Sequence, residues 1–166
     1  IDAVDRAAER FAARLAGGGP DLLASAAAHL EARGIHLRGG TDGQLRHYDP
    51  ERRELTLAAT AAGATQRFQI LHQVALLEQS DLLEATLDLA RFQTAEAREI
   101  CRIGLATYVA GAALMPYGRI LQAAGETRHD LERLADLFGA SIEQVAHRLS
   151  TLQRAGAKGV PFFFVR

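Results

Sequence analysis

Between Gly104 and Pro116 the chain runs Gly-Leu-Ala-Thr-Tyr-Val-Ala-Gly-Ala-Ala-Leu-Met-Pro. Thr94 can cap a helix that reaches Leu114, and Pro116, which lacks an N–H and fixes its own backbone angle, ends it. Gly104, Ala106, Ala110, Gly111, Ala112 and Ala113 leave this helix slim. Small side chains let a neighbouring helix or a ligand approach the backbone closely, so the fold must place one or the other against it. The helical period also runs from Gln66 to Gln79, through Phe68, Leu71, Ala75 and Leu76.

That second helix carries Gln69-Ile70-Leu71-His72-Gln73-Val74-Ala75-Leu76-Leu77, where a helical metallopeptidase would carry H-E-x-x-H. The motif works because two imidazoles one turn apart bind zinc and the Glu between them takes a proton from water. Only His72 remains. Gln73 is nearly isosteric with Glu but cannot act as a base, and Leu76 binds no metal. In such peptidases a third ligand, a Glu, comes from the next long helix; by resemblance the matching positions here are Ile103 to Leu105, which hold no ligand. We therefore expect the shape of a zinc peptidase without its catalysis, no metal and no enzyme. A lone His72 on an apolar face is more often a hydrogen-bonded core residue than a ligand.

The flanking segments supply a small core around this pair. Ile1 to Leu15 reads as a helix with Val4, Ala8, Phe11 and Leu15 on one stripe, ended by Gly17-Gly18-Gly19-Pro20. Asp21 caps a second helix that stops at Gly34. The period then changes to two in Ile35–Arg38, Leu45–Tyr48 and Leu55–Leu57, separated by turn residues, which predicts an antiparallel meander. Leu82 to Ala90 and Tyr117 to Ala124 are further helices. Asp130 caps Leu131 to Phe138, and Ser141 with Gln144 forms a capping box for the helix through Leu152. Val160-Pro161-Phe162-Phe163-Phe164-Val165 is apolar and β-prone enough for a terminal strand.

The chain carries a net charge of −1, so no basic signature for nucleic acid is present. The pair Asp130 to Leu152 has a helix-turn-helix outline. A DNA-reading version would set Glu143, Gln144, His147, Arg148 and Thr151 against base edges; the same geometry also serves plain packing. Cys101 is the single cysteine, which excludes an intrachain disulfide and fits a cytoplasmic location. No apolar run approaches the roughly 20 residues of a membrane span. Without an initiator Met, and stopping in a strand-like run, the chain reads as a fragment of a longer protein. Arg128 and His129 before Asp130 are either a solvated loop or anion contacts, and Tyr108 and Tyr117 line either a pocket or the core.

Two resemblances add to this. The long helix ending Leu114-Met115-Pro116 resembles that of ImmA/IrrE-type metallopeptidases. Gly104–Tyr117, Arg128-His129-Asp130, Phe138–Arg154 and Gly159–Arg166 together resemble the signature segments of the short-chain fatty acyl-CoA regulators, bacterial transcription factors of lipid, propionate or acetate metabolism. His129 departs from the usual Tyr of that family. The resemblance implies an α+β, mostly helical, degenerate zincin-like domain with a small antiparallel sheet. It would be one sensory domain over 1–166, with a peptidase-like core at about 21–125 and a helix-turn-helix-like pair plus terminal strand at about 126–166. It implies a non-catalytic sensor of a short-chain acyl-CoA that controls DNA binding by a separate N-terminal domain, and it is compatible with a homodimer. The iron–sulfur cluster ascribed to some members would need cysteines other than Cys101. Expected ligand-binding residues are His72 and Tyr108 near the acyl group, with Tyr117. For the phosphates, Arg128 and His129 come first, then Arg119 and Arg148. A residual zinc metallopeptidase and a structural dimerisation module without ligand are the alternatives.

Overall fold

The computed structural model describes residues 2–17, 21–41 and 43–163. Its helices and strands follow in chain order as α1 (Asp2–Ala16), α2 (Leu22–Ala32), β1 (His36–Gly40), β2 (Arg46–Asp49), β3 (Glu54–Ala58), α3 (Gly63–Glu78), α4 (Ser80–Asp88), α5 (Ala95–Leu114), α6 (Tyr117–Glu126), α7 (Leu131–Phe138) and α8 (Ile142–Ser150). This is the mostly helical α+β, zincin-like arrangement expected from the sequence. Gly18 to Pro20, expected to end the first helix, lie outside the described residues, as do Phe164 and Val165.

The expected caps form. Asp21 accepts from the N–H groups of Leu23 and Ala24, Thr94 from Ala97 and Asp130 from Arg133. Ser141 and Gln144 make the reciprocal capping box. Each satisfies backbone donors that a helix start would otherwise leave unpaired. Gly34 and Gly139 stop α2 and α7 with φ of +70° and +60°, the left-handed conformation that a side chain disfavours.

The sheet departs from a simple meander. Its order is β1-β3-β2. β2 and β3 form the expected antiparallel hairpin, with Asp49 Oδ1 accepting from the N–H groups of Glu51 and Arg52 in the turn. β1, however, pairs with β3 in parallel, from His36 opposite Glu54 to Gly40 opposite Ala58. Alternation in the sequence tells which face of a strand is buried but not which strand lies beside it. The predicted terminal strand is also absent where it can be seen. Val160 to Phe163 make no sheet pairing, and Val160 and Phe163 are exposed, while Phe162 packs on the core.

Two apolar clusters fill the molecule. The first joins α1, α2, the sheet, α3, α4 and α5 through residues such as Phe11, Leu30, Leu55, Leu71, Leu83 and Val109. The second joins α6, α7 and α8 through Ile120, Leu134, Val145 and Leu149. Leu114, at the end of α5, packs against both, and the chain bends by 62° between α5 and α6. Among the described residues no single helix is long and apolar enough to cross a membrane. α5 instead buries Ala106, Val109, Ala110, Ala112 and Ala113 in the core.

Candidate functional site

α3 lies against α5 as the slim helix requires. A Cβ built on Gly111 would stand 3.9 Å from the ring of Phe68, so the glycine brings the helix backbone close to that ring. His72 is buried, and its Nε2 lies 3.3 Å from the carbonyl oxygen of Ile103 on α5. A carbonyl only accepts, so Nε2 carries the proton. Nδ1 is then the lone-pair nitrogen, buried and without a partner among the described residues. Burial, and then the positive charge of Arg46, push the His72 pKa down to about 4, against a smaller opposing effect of the Ile103 carbonyl. The imidazole is neutral at neutral pH.

The segment from which a third zinc ligand would come, at Ile103, therefore does adjoin His72, but it offers a main-chain oxygen that takes up the Nε2–H. Gln73 is buried and accepts a hydrogen bond from the Arg46 guanidinium of β2. Leu76 packs into the first cluster. A guanidinium beside His72, an amide at the base position and a leucine at the second ligand position do not fit a zinc ion. Among the described residues no group of three or more His, Cys, Asp or Glu side chains gathers as a metal site. The helix has the peptidase shape and lacks its catalytic groups.

One turn before His72 on α3, the structure opens into a cavity of about 370 Å³ whose surface is mainly carbon. α3 contributes Thr65, Phe68 and Gln69, α5 contributes Thr107, Tyr108 and Gly111, and Leu45 covers one edge from just before β2. The remaining wall is Ser141 at the start of α8, then Glu143, Gln144, His147, Arg148 and Thr151. The helix-turn-helix pair thus also builds this wall. The five side chains it would turn to base edges all face this cavity.

Arg148 is the polar end of that wall. Its side chain is 2% exposed and lies 2.9 Å from Asp5 of α1, itself 2% exposed. Its Nε donates to the Met115 carbonyl at 3.0 Å, and Nη1 reaches the Tyr108 hydroxyl at 3.5 Å and Thr151 Oγ1 at 3.3 Å. The guanidinium also stands 5.7 Å from the ring centroids of both Tyr108 and Tyr117. Burial is the main cause that raises the Tyr108 pKa, followed by the charge of Asp5. Beside this pair, Arg154 reaches Asp2, Asp5 and Glu9, three carboxylates on one face of α1.

The expected site residues separate into groups. Tyr108 and Arg148 meet at the cavity. His72 lies below it in the α3–α5 contact. Tyr117 is buried; its hydroxyl donates to the Ala157 carbonyl and accepts from the Arg154 N–H. Arg119 is exposed over the Phe138 ring, in a groove with Glu9 and Leu137. Arg128 and His129 form the turn between α6 and α7 with φ of +55° and +62°. Their backbone N–H groups are bonded to the Gly125 and Ala124 carbonyls, and Asp130 caps α7. The backbone N–H groups of Arg128 and His129 are therefore not available to an anion.

Sequence reasoning missed Asp5, Arg46, Phe68 and Gln69. Asp5 had a usable signal: with Ala8 and Ala12 it lies at helical spacing inside a buried stripe, and a carboxylate placed there calls for a buried cation. Arg46 had none, because only the sheet order brings it to Gln73.

Comparison with known proteins places these features. The model of the IrrE N-terminal-like domain matches residues 30–150. The chain is 68% identical over 166 residues to the propionyl-CoA carboxylase regulator of Cereibacter sphaeroides, covering 100% of this chain and 35% of that protein. It is 36% identical over 170 residues to the HTH-type transcriptional regulator RamB of Mycobacterium tuberculosis, covering 100% and 36%. It is 43% identical over 125 residues to PrpR of the same organism, covering 75% and 26%. A solved Mycobacterium tuberculosis transcriptional regulator matches with a TM-score of 0.86 at 37% identity, covering 96% of this chain and 50% of that one. The chain thus spans between about a quarter and a third of the curated relatives it matches. Both resemblances read from the sequence, to the peptidase-like domain and to bacterial transcriptional regulators, are borne out.

Proposed function

Because the chain belongs to the IrrE N-terminal-like domain family, and its matched relatives are regulators, we propose that it is the ligand-sensing domain of a bacterial transcriptional regulator and takes a short-chain acyl-CoA. The observation that carries this reading is the cavity between α3, α5 and α8. It is concave, mainly apolar and of a size for a small acyl group. It opens beside a helix pair whose peptidase groups are replaced. The propionyl-CoA carboxylase regulator, 68% identical to this chain, is tied by its name to an acyl-CoA enzyme.

The acyl chain would lie against Phe68 and Gly111, with Tyr108 and Arg148 at its polar end. The coenzyme would extend out of the cavity, its phosphates met by exposed side chains; Arg128, His129 and Arg119 remain the candidates, from the sequence resemblance alone. His72 and Tyr117 would then support the site from beneath. DNA would be bound by a separate domain, and the regulator would work in the cytoplasm, as a homodimer if two copies are needed to span a symmetric operator.

Thermal unfolding with acetyl-, propionyl- and butyryl-CoA tests this. A ligand at a hundred times its dissociation constant adds roughly 2.7 kcal/mol, which for a chain of this size raises Tm by about 5–10 °C. A Tm indifferent to all three thioesters at millimolar concentration would remove the acyl-CoA reading.

A further inference from the structure

The cavity's one buried cation has its charge already committed. Arg148 and Asp5 are each 2% exposed and 2.9 Å apart. Around them, three carboxylates of α1 (Asp2, Asp5 and Glu9) face two guanidinium groups, Arg148 and Arg154. The titratable and charged side chains on the cavity wall are Tyr108, Glu143, His147 and Arg148. The balance at the polar end is therefore negative rather than positive. A ligand carboxylate entering here would put a further negative charge beside Asp5 in a poorly solvated place, where an uncompensated charge is costly. A neutral carbonyl brings only an acceptor. Three of the Arg148 N–H donors go to Met115, Tyr108 and Thr151, and its buried Nη2 stands 2.9 Å from Asp5 Oδ1 as a charge pair, so a ligand oxygen would share the Nη1 donors at the Tyr108 and Thr151 hydroxyls.

We propose that Asp5 is a specificity-determining residue: by neutralising Arg148 at the cavity wall, it makes the cavity select neutral acyl groups and reject acyl groups that end in a carboxylate. Asp5 acts through Arg148 and is a positioning residue. The inference rests on the cavity being the ligand site, and it adds a ligand class and a residue to that reading.

The test compares propionyl-CoA with malonyl-CoA, which is similar in size but ends in a carboxylate, by calorimetric titration of the chain and of Asp5→Asn. The chain is expected to prefer propionyl-CoA by roughly tenfold or more, the scale of one charged contact. Asp5→Asn frees the Arg148 charge and is expected to narrow the preference to within about threefold or invert it. An equal preference in both proteins would overturn the proposal. If neither thioester binds, the acyl-CoA reading fails by itself. Butyrate and butyramide, followed by NMR shifts of residues lining the cavity, then read the same charge balance without the coenzyme. Butyrate binding should tighten several-fold in Asp5→Asn while butyramide stays unchanged, and an unchanged butyrate affinity would overturn the proposal. Should Asp5→Asn not keep its fold by circular dichroism, Glu9→Gln shifts the same balance from a side chain 29% exposed. It is expected to narrow the preference about two-fold, and no change would count against the role of Asp5.

Discussion

His72 enters the core neutral, and its acid response follows from that. Its ordinary pKa, 6.5, applies to the unfolded chain, and the folded value is held near 4 by burial and by Arg46. Above pH 6.5 neither state is protonated and the full stability is present. As pH falls from 6.5 towards 4, the unfolded chain takes a proton that the folded chain refuses, so stability is lost, by about 3 kcal/mol at the lower end. Urea unfolding at pH 7, 5.5 and 4.5 is expected to show this decline, and His72→Gln should make it shallower. His29, also held low by burial and by Arg33, leaves a residual slope. A pH dependence identical in the variant would mean that another group is responsible.

Among the elements, the stop of α7 and the slimness of α5 give opposite expectations for the same substitution. Gly139 has φ of +60°, and a Cβ there would stand 3.3 Å from the Arg67 guanidinium, which donates to the Gly139 carbonyl. Gly139→Ala is expected to cost about 1–2 kcal/mol in urea unfolding, from backbone strain and a crowded contact. Gly111 sits mid-helix, and its Cβ would meet Phe68 at an ordinary 3.9 Å. Gly111→Ala is expected to stabilise by about 0.5–1 kcal/mol through helix propensity, while its methyl group occupies part of the cavity and weakens acyl-CoA binding. A variant that gains stability and keeps full affinity would show that the acyl group lies elsewhere. The helices and their caps were legible because capping and period are local: Asp21, Thr94, Asp130 and Ser141 each act within a few residues of themselves. The parallel pairing of β1 with β3 was not, since it depends on which edge the chain returns to. The site was half legible. His72 lies on a helix that lines the cavity, yet the cavity opens one turn earlier at Phe68 and Gln69, and its polar end depends on Asp5, whose partner lies near the opposite end of the chain.

At the scale of the whole molecule, the cavity lies where the two apolar clusters meet, with α3 and α5 on one side and α8 on the other. The α8 face that would read DNA lines this cavity, its one arginine is buried against Asp5, and the net charge of the chain is −1. A gel shift with the isolated chain at physiological salt is expected to show no selective binding to operator DNA over competitor, because phosphate attraction supplies most non-specific affinity. Selective retardation by this chain would return α8 to a recognition role. The Arg46–Gln73 contact bears on whether such a fold can go back to peptide hydrolysis. Putting back the two missing side chains, Gln73→Glu and Leu76→His, would give Arg46 a carboxylate to pair with before any metal arrived, and the guanidinium would repel the incoming cation. A third change, at Arg46 in the sheet, would have to come with them, and a fourth to supply the carboxylate absent near Ile103. Return of this chain to hydrolysis would therefore take at least these four substitutions, one of them in the sheet and outside the signature motif.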